Sequence, residues 1–187
     1  THAGESYVTN RRTPISTLFA AEAWRLLHRG FQEIFSKSDD VDARGRMQLG
    51  AYYAGAAIEN SMLGAAHSCA NPLSAHFGTT HGIAVGVMLP HVIRFNSPKV
   101  AAWYGELAEI ADLCERNDPH ASDKLADYIV SLIDSSGSPT SLKTCHVDEK
   151  LIPKLAREAA QQWTAQFNPR EITAPDFEEL YQCALNS

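Results

Sequence analysis

The chain lacks an apolar run long enough to cross a membrane. Its longest run, residues 83–89, is far short of the about 20 apolar residues that a transmembrane helix needs. The N-terminus does not show the basic-then-apolar pattern of a signal peptide, and the sequence begins with Thr1 rather than methionine. We therefore expect no membrane partner.

Clustered positive charge is also missing. The 16 lysines and arginines are scattered and outnumbered by 22 acidic residues, which gives a net charge of −6. A nucleic acid or an anionic membrane surface would require a basic face. We therefore expect no nucleic-acid partner.

Paired cysteines are absent as well. The four cysteines stand far apart, at Cys69, Cys114, Cys145 and Cys183. This spacing indicates free thiols in a reducing compartment rather than a disulfide framework. We expect the protein to be cytoplasmic.

Two further patterns are not found: sustained alternation of apolar and polar residues, and a G-x-G-x-x-G turn. The first is typical of strands and the second of dinucleotide-binding α/β domains. With no repeats and no long linker, we expect residues 1–187 to form a single all-α domain, a multi-helix bundle. Apolar spacing and capping residues predict that residues 1–9 end a helix, and that helices cover residues 15–35, 38–70, 82–95, 96–113, 121–133, 148–163 and 173–184.

Some local features are also expected within these helices. Residues 51–58 are small and nearly uncharged, which predicts burial on most sides. Pro90 should kink its helix. Asn71-Pro72 and Gly78 should interrupt the chain between the second and third long helices, because proline clashes with the preceding turn and glycine tolerates unusual dihedrals.

Histidines are concentrated on either side of that break, at His67, His76 and His81. On one continuous helix His67 and His81 would share a face but stand roughly 21 Å apart. A turn between them could bring their imidazoles together. Neutral imidazole suits Fe, Zn or Ni, but this spacing is not specific by itself, so a purely structural role stays open. Structural or surface roles are expected for His28, His91, His120 and His146.

A resemblance favours the metal site. Residues 67–82, followed by the segment 87–91, resemble the signature of the iron-containing (group III) alcohol dehydrogenases. Residues 1–9 resemble that family's first metal-binding helix, and residues 168–170 with 177–181 resemble its C-terminus. The order and spacing agree. The resemblance implies the helical C-terminal domain of a dehydroquinate synthase-like fold, without the N-terminal nucleotide-binding domain.

The resemblance also implies which residues bind the metal. By position, His2, His67 and His81 match three of the family's ligands to a divalent ion. The fourth, an aspartate, would lie four residues before His2 and thus ahead of Thr1. Fe(II) is the expected ion and Zn(II) the alternative, since histidine and carboxylate suit both.

Two candidate catalytic residues follow from the same resemblance, Asn71 and His76. Many relatives have a histidine at the position of Asn71, where it is thought to handle protons. Asparagine forms hydrogen bonds but does not titrate near neutrality, so His76 could take that role if it points inward; otherwise it is a solvent-facing residue. Further side chains expected to line the pocket are Ser68, Cys69, Ala70 and Phe77.

The implied function is that of the C-terminal part of a metal-dependent, NAD(P)-linked alcohol dehydrogenase. The metal would polarise the alcohol or carbonyl oxygen during hydride transfer. NAD or NADP would be bound mainly by the missing N-terminal domain, so the isolated chain is expected to be inactive. The expected partners are a small alcohol or aldehyde and a second copy in a homodimer. Alternatives are a glycerol dehydrogenase-like or dehydroquinate synthase-like relative, and a non-catalytic helical assembly module.

Overall fold

The computed structural model describes residues 1–187, and its regular structure is entirely helical. This confirms the all-α prediction. Two short 3₁₀ helices lie at Glu149–Leu151 and Trp163–Phe167. The eight α-helices are α1 (His2–Val8), α2 (Pro14–Ser36), α3 (Val41–Glu59), α4 (Ala65–Phe77), α5 (His81–Ile110), α6 (Ala121–Ser135), α7 (Ile152–Ala160) and α8 (Ala174–Asn186).

Capping side chains set the starts of α2, α3 and α8. At α2, Thr13 and Ser16 form a reciprocal capping box, with Pro14 in the first turn. The Asp40 side chain accepts a hydrogen bond from the Ala43 N–H at 2.9 Å at the start of α3. Thr173 and Asp176 cap α8 in the same way as the α2 box. These side chains satisfy N–H groups that lack an intrahelical partner.

The helices pack around one contiguous core. Helices α2 and α3 form an antiparallel pair, and α5 lies centrally, in contact with α1, α2, α4, α6 and α8. The core extends from Ala3 in α1 to Leu185 in α8. The buried Trp24 side chain of α2 donates a hydrogen bond to the Leu107 carbonyl of α5 at 3.0 Å. This hydrogen bond links α2 to the C-terminal half of α5.

The break between α3 and α4 differs from the prediction of one helix over residues 38–70. The chain leaves the helix at Asn60, where Asn60 and Ser61 side chains bond to carbonyls of the last α3 turn. Helix α4 starts only after Gly64. At Gly64 a Cβ would lie 3.1 Å from Asn168 Oδ1 and 3.2 Å from Glu5 Oε1. Contacts with Glu5 and Asn168, which are distant in sequence, therefore determine where the helix is interrupted.

The positions of the helix interruptions around the prolines also differ from expectation. Helix α4 continues through Pro72, and the chain turns at Gly78, which is left-handed with a φ of 64°. Helix α5 continues through Pro90, and its one non-helical residue is Val100. Burial of the flanking residues, including Leu73 and Leu89, offsets the missing proline N–H groups.

The prediction that residues 51–58 are buried on most sides is wrong. Only Ala54 and Ala57 are buried, and Tyr52 is 69% exposed. The small residues of α3 allow close contact with α2 along one face only. The other face is in solvent. No helix in the structure has the length and apolar character needed to span a bilayer.

His91 gives a prediction for the dependence of stability on pH. Burial in α5, and secondarily the nearby charge of Arg94, lowers the pKa of His91 to about 4. The folded chain thus binds a proton less readily than the unfolded chain, and stability is lost as the pH falls below the unfolded value. We expect the parent to lose about 2 kcal/mol more than His91→Leu between roughly pH 7 and about pH 4.5 in urea denaturation. Parallel curves for the two proteins would contradict this.

Candidate metal centre

The structure brings together three histidines from three helices. The ring centres of His2 in α1 and His67 in α4 are 4.9 Å apart, with planes inclined by 20°. His67 and His81, the first residue of α5, have ring centres 5.3 Å apart and planes inclined by 53°. The turn at Gly78 returns the chain so that His81 meets His67. We call these residues the histidine cluster.

These distances match what a shared ion needs. Imidazoles bound tetrahedrally to one ion, with metal–nitrogen distances of about 2 Å, have ring centres roughly 5 Å apart. No three histidine, cysteine, aspartate or glutamate side chains in the structure already enclose an ion-sized space. The cluster therefore offers donor atoms close together, and their rings would have to turn to converge on one ion.

His67 is the buried member of the cluster, with 4% of its surface exposed. Its Nδ1 lies 2.5 Å from Glu5 Oε2. Its Nε2 is buried and has no hydrogen-bond partner. Buried polar atoms without partners are rare in folded proteins, and a metal ligand is one accepted explanation. A metal ion held by the histidine cluster would satisfy this nitrogen.

His2 and His81 are exposed, so the cluster is open on their side. Desolvation of its ring within the cluster, followed by the nearby charge of His67, lowers the pKa of His2 to about 4. Desolvation and then His67 also lower the pKa of His81. Both rings are therefore neutral near pH 7, and neutral imidazole is the form that binds metals.

A buried amide holds the start of α4 in place. Asn168, 4% exposed, accepts a hydrogen bond from the Ala65 N–H at 3.3 Å. Asn168 and Asn96 form a reciprocal pair of hydrogen bonds at 2.7 and 3.0 Å. The Arg170 carbonyl accepts a further bond from Asn168 at 2.7 Å. The Asn-Pro-Arg segment thus anchors the helix that carries His67.

Of the two candidate catalytic residues, Asn71 lies near the histidine cluster and His76 does not. Asn71 follows His67 by one turn on the same face of α4, and its amide donates to Gln162 Oε1 at 2.9 Å. His76 is nine residues after His67, hence about 13 Å along the axis and roughly 180° around it. Its Nε2 lies 2.7 Å from Glu158 Oε2. The structure does not bring His76 to the cluster.

Three side chains expected to line an open pocket are in the core instead. Ser68, Cys69 and Ala70 are fully buried. The Ser68 hydroxyl lies 2.6 Å from the Thr164 hydroxyl. Phe77 is half-buried at the end of α4.

Glu5 is the residue of the site that sequence reasoning left without a role. The signal available was its position in α1, three residues after His2 and therefore on a similar helix face. Its partners Ala66 and His67 are more than 60 positions away in sequence. Only the fold shows the contact.

Residues 1–185 match the C-terminal model of the Fe-containing alcohol dehydrogenase family. The chain belongs to this family. The matched residues include the histidine cluster, Glu5 and Asn168.

Individual relatives agree with this assignment. The chain is 31% identical over 186 residues to lactaldehyde reductase of Escherichia coli (strain K12), covering 98% of this chain and 48% of the relative. It is 32% identical over 189 residues to an NAD-dependent methanol dehydrogenase of Bacillus methanolicus, covering 98% and 49%. A crystal structure of a 1,3-propanediol oxidoreductase gives a TM-score of 0.92 at 28% identity, over 99% of this chain and 49% of that one. The chain thus spans about half the length of these relatives.

Proposed function

We propose that this chain forms the metal-binding part of a metal-dependent, NAD(P)-linked alcohol dehydrogenase. The observation that carries the proposal is the buried, unpartnered Nε2 of His67 beside the rings of His2 and His81. His2, His67 and His81 would hold the divalent ion, with Fe(II) favoured by the family. When bound, the ion would polarise the oxygen of an alcohol or carbonyl substrate.

The roles of the surrounding residues follow from their positions. His2 and His81 leave the cluster open, so a substrate oxygen can approach from their side, as a catalytic metal site requires. Asn71 lies one turn along α4 and can orient a polar group through its amide. It cannot itself exchange a proton near neutrality.

The nicotinamide cofactor is proposed to bind mainly outside these 187 residues, because they contain no glycine-rich dinucleotide turn. The chain alone is then unable to complete the reaction. The relatives named above include enzymes of lactaldehyde and methanol, which supports a small alcohol or aldehyde as the substrate. A cytoplasmic location and a homodimer remain part of this proposal.

A metal titration tests the proposal. Co(II) added to the purified, metal-free chain should give the visible absorption bands of a low-symmetry, nitrogen-ligated site, and Zn(II) should displace it at a ratio of one ion per chain. Fe(II) binding is then measured under anaerobic conditions. His120→Ala, which alters a histidine outside the cluster, should bind as the parent does. Absence of a saturable site for all three ions would contradict the proposal.

A further inference from the structure

Glu5 connects two helices through one buried carboxylate. Its side chain is 5% exposed. Oε1 accepts a hydrogen bond from the Ala66 N–H at 2.7 Å, and Oε2 lies 2.5 Å from His67 Nδ1. The carboxylate therefore links α1, which also carries His2, to the first turn of α4.

Helix α4 depends on such outside groups, because its own N-cap residue, Gly64, has no side chain. Asn168 accepts from the Ala65 N–H and Glu5 from the Ala66 N–H. A negative charge at this end of a helix is favourable. The two oxygens of Glu5 face two donors, the Ala66 N–H and His67 Nδ1. Glu5 thus supplies the capping group that Gly64 lacks.

The hydrogen bonds of the Glu5 carboxylate determine which nitrogen of His67 carries the proton. A carboxylate only accepts hydrogen bonds, so His67 must donate from Nδ1. A second proton on Nε2 would be buried without an acceptor, since Nε2 has no partner. Neutral His67 therefore has its proton on Nδ1 and its free lone pair on Nε2.

We infer that Glu5 is a positioning residue that fixes this tautomer of His67 and directs its Nε2 lone pair to the metal. The metal-binding half of this inference rests on the proposed function; the tautomer half rests on the geometry of the metal-free chain. Because α1 carries both Glu5 and His2, the same carboxylate also holds the helix of a second donor against α4.

Glu5→Gln tests the inference with little change of shape. The carbonyl oxygen of the introduced glutamine can still accept from the Ala66 N–H, so its amide nitrogen faces His67 and donates to Nδ1. The proton of His67 then moves to Nε2, where it opposes metal binding. Long-range ¹H–¹⁵N spectra of the metal-free chain should show Nδ1 protonated in the parent and Nε2 protonated in the variant. Affinity for Zn(II) should fall by about 10–100-fold.

Glu158→Gln is the matched control, because Glu158 bonds to a different histidine, His76. It should leave both the His67 tautomer and Zn(II) affinity unchanged. Glu5→Asp is the second variant: its shorter carboxylate should keep the proton on Nδ1 while weakening metal binding, and it covers the case in which Glu5→Gln does not fold.

The outcomes distinguish a failure of the proposed function from a failure of the inference about Glu5. If the parent binds no Zn(II), the proposed function fails, while the tautomer spectra still test Glu5. The inference is overturned if Glu5→Gln keeps the proton on Nδ1, if Glu5→Asp moves it to Nε2, or if the tautomer changes with no loss of affinity in a parent that binds metal.

Discussion

His67→Ala is expected to abolish binding of Fe(II) and Zn(II) and to destabilise the metal-free chain. The substitution removes the buried donor of the histidine cluster. It also leaves the Glu5 carboxylate buried without the hydrogen bond from His67 Nδ1, and leaving a buried charged group unsatisfied in this way costs about 3 kcal/mol. Metal titration measures the first effect, and urea denaturation of the metal-free protein measures the second.

His81→Ala separates the two effects. His81 is exposed, so its loss should change the free energy of unfolding of the metal-free chain by less than about 0.5 kcal/mol. Metal affinity should nevertheless fall steeply, because a donor is gone. If His81→Ala binds metal as tightly as the parent, and His67→Ala affects only stability, the histidines merely pack and the alternative of a helical assembly module is favoured.

The helical character and several helix starts could be predicted from local sequence. Thr13-Pro14 and Thr173 are capping signals whose partners lie within three residues, at Ser16 and Asp176. Such signals depend little on the rest of the fold. Predictions that rested on them agree closely with the observed starts of α2 and α8.

The break before α4 could not be predicted in the same way. Gly64 lies against Glu5 and Asn168, residues 59 and 104 positions away. The small, apolar sequence on either side is compatible with a continuous helix. Tertiary contacts nevertheless interrupt the helix at this point. At Pro72 the opposite happens. Proline predicts a break in the helix, but α4 continues through it because its surroundings are buried.

The histidine cluster was only partly predictable. Spacing alone showed that His67 and His81 could meet if a turn intervened, but it did not specify where the turn lies. Inclusion of His2 came from the family resemblance, because nothing local relates His2 to residues 65 positions later. The role of Glu5 required the fold.

Gly105 gives the second large expected effect. It lies in the helical sequence Trp103-Tyr104-Gly105-Glu106-Leu107, where glycine has no evident purpose. In the structure a Cβ at this position would be 2.0 Å from the Arg116 carbonyl oxygen. The chain turns back after α5 through Asp112, whose φ is 54°, and packs its backbone onto this glycine. A methyl group has no room there.

Gly105→Ala should therefore lower the free energy of unfolding by at least about 3 kcal/mol, because backbone rather than a flexible side chain must move. For a chain of this length each kcal/mol corresponds to about 2–4 °C in Tm, so a fall of about 6–12 °C is expected by calorimetry. Metal affinity of the folded protein should stay unchanged, since Gly105 is on a part of α5 remote in sequence from His81.

Gly45→Ala is the matched control for this substitution. Gly45 is also inside a helix, α3, but a Cβ there meets nothing within 4 Å. Alanine should stabilise the chain by about 0.5–1 kcal/mol, since it restricts the unfolded backbone and has the higher helix propensity. The two substitutions add the same methyl group to helical glycines and should change Tm in opposite directions. A Gly105→Ala protein as stable as Gly45→Ala would show that the segment after α5 does not pack against Gly105.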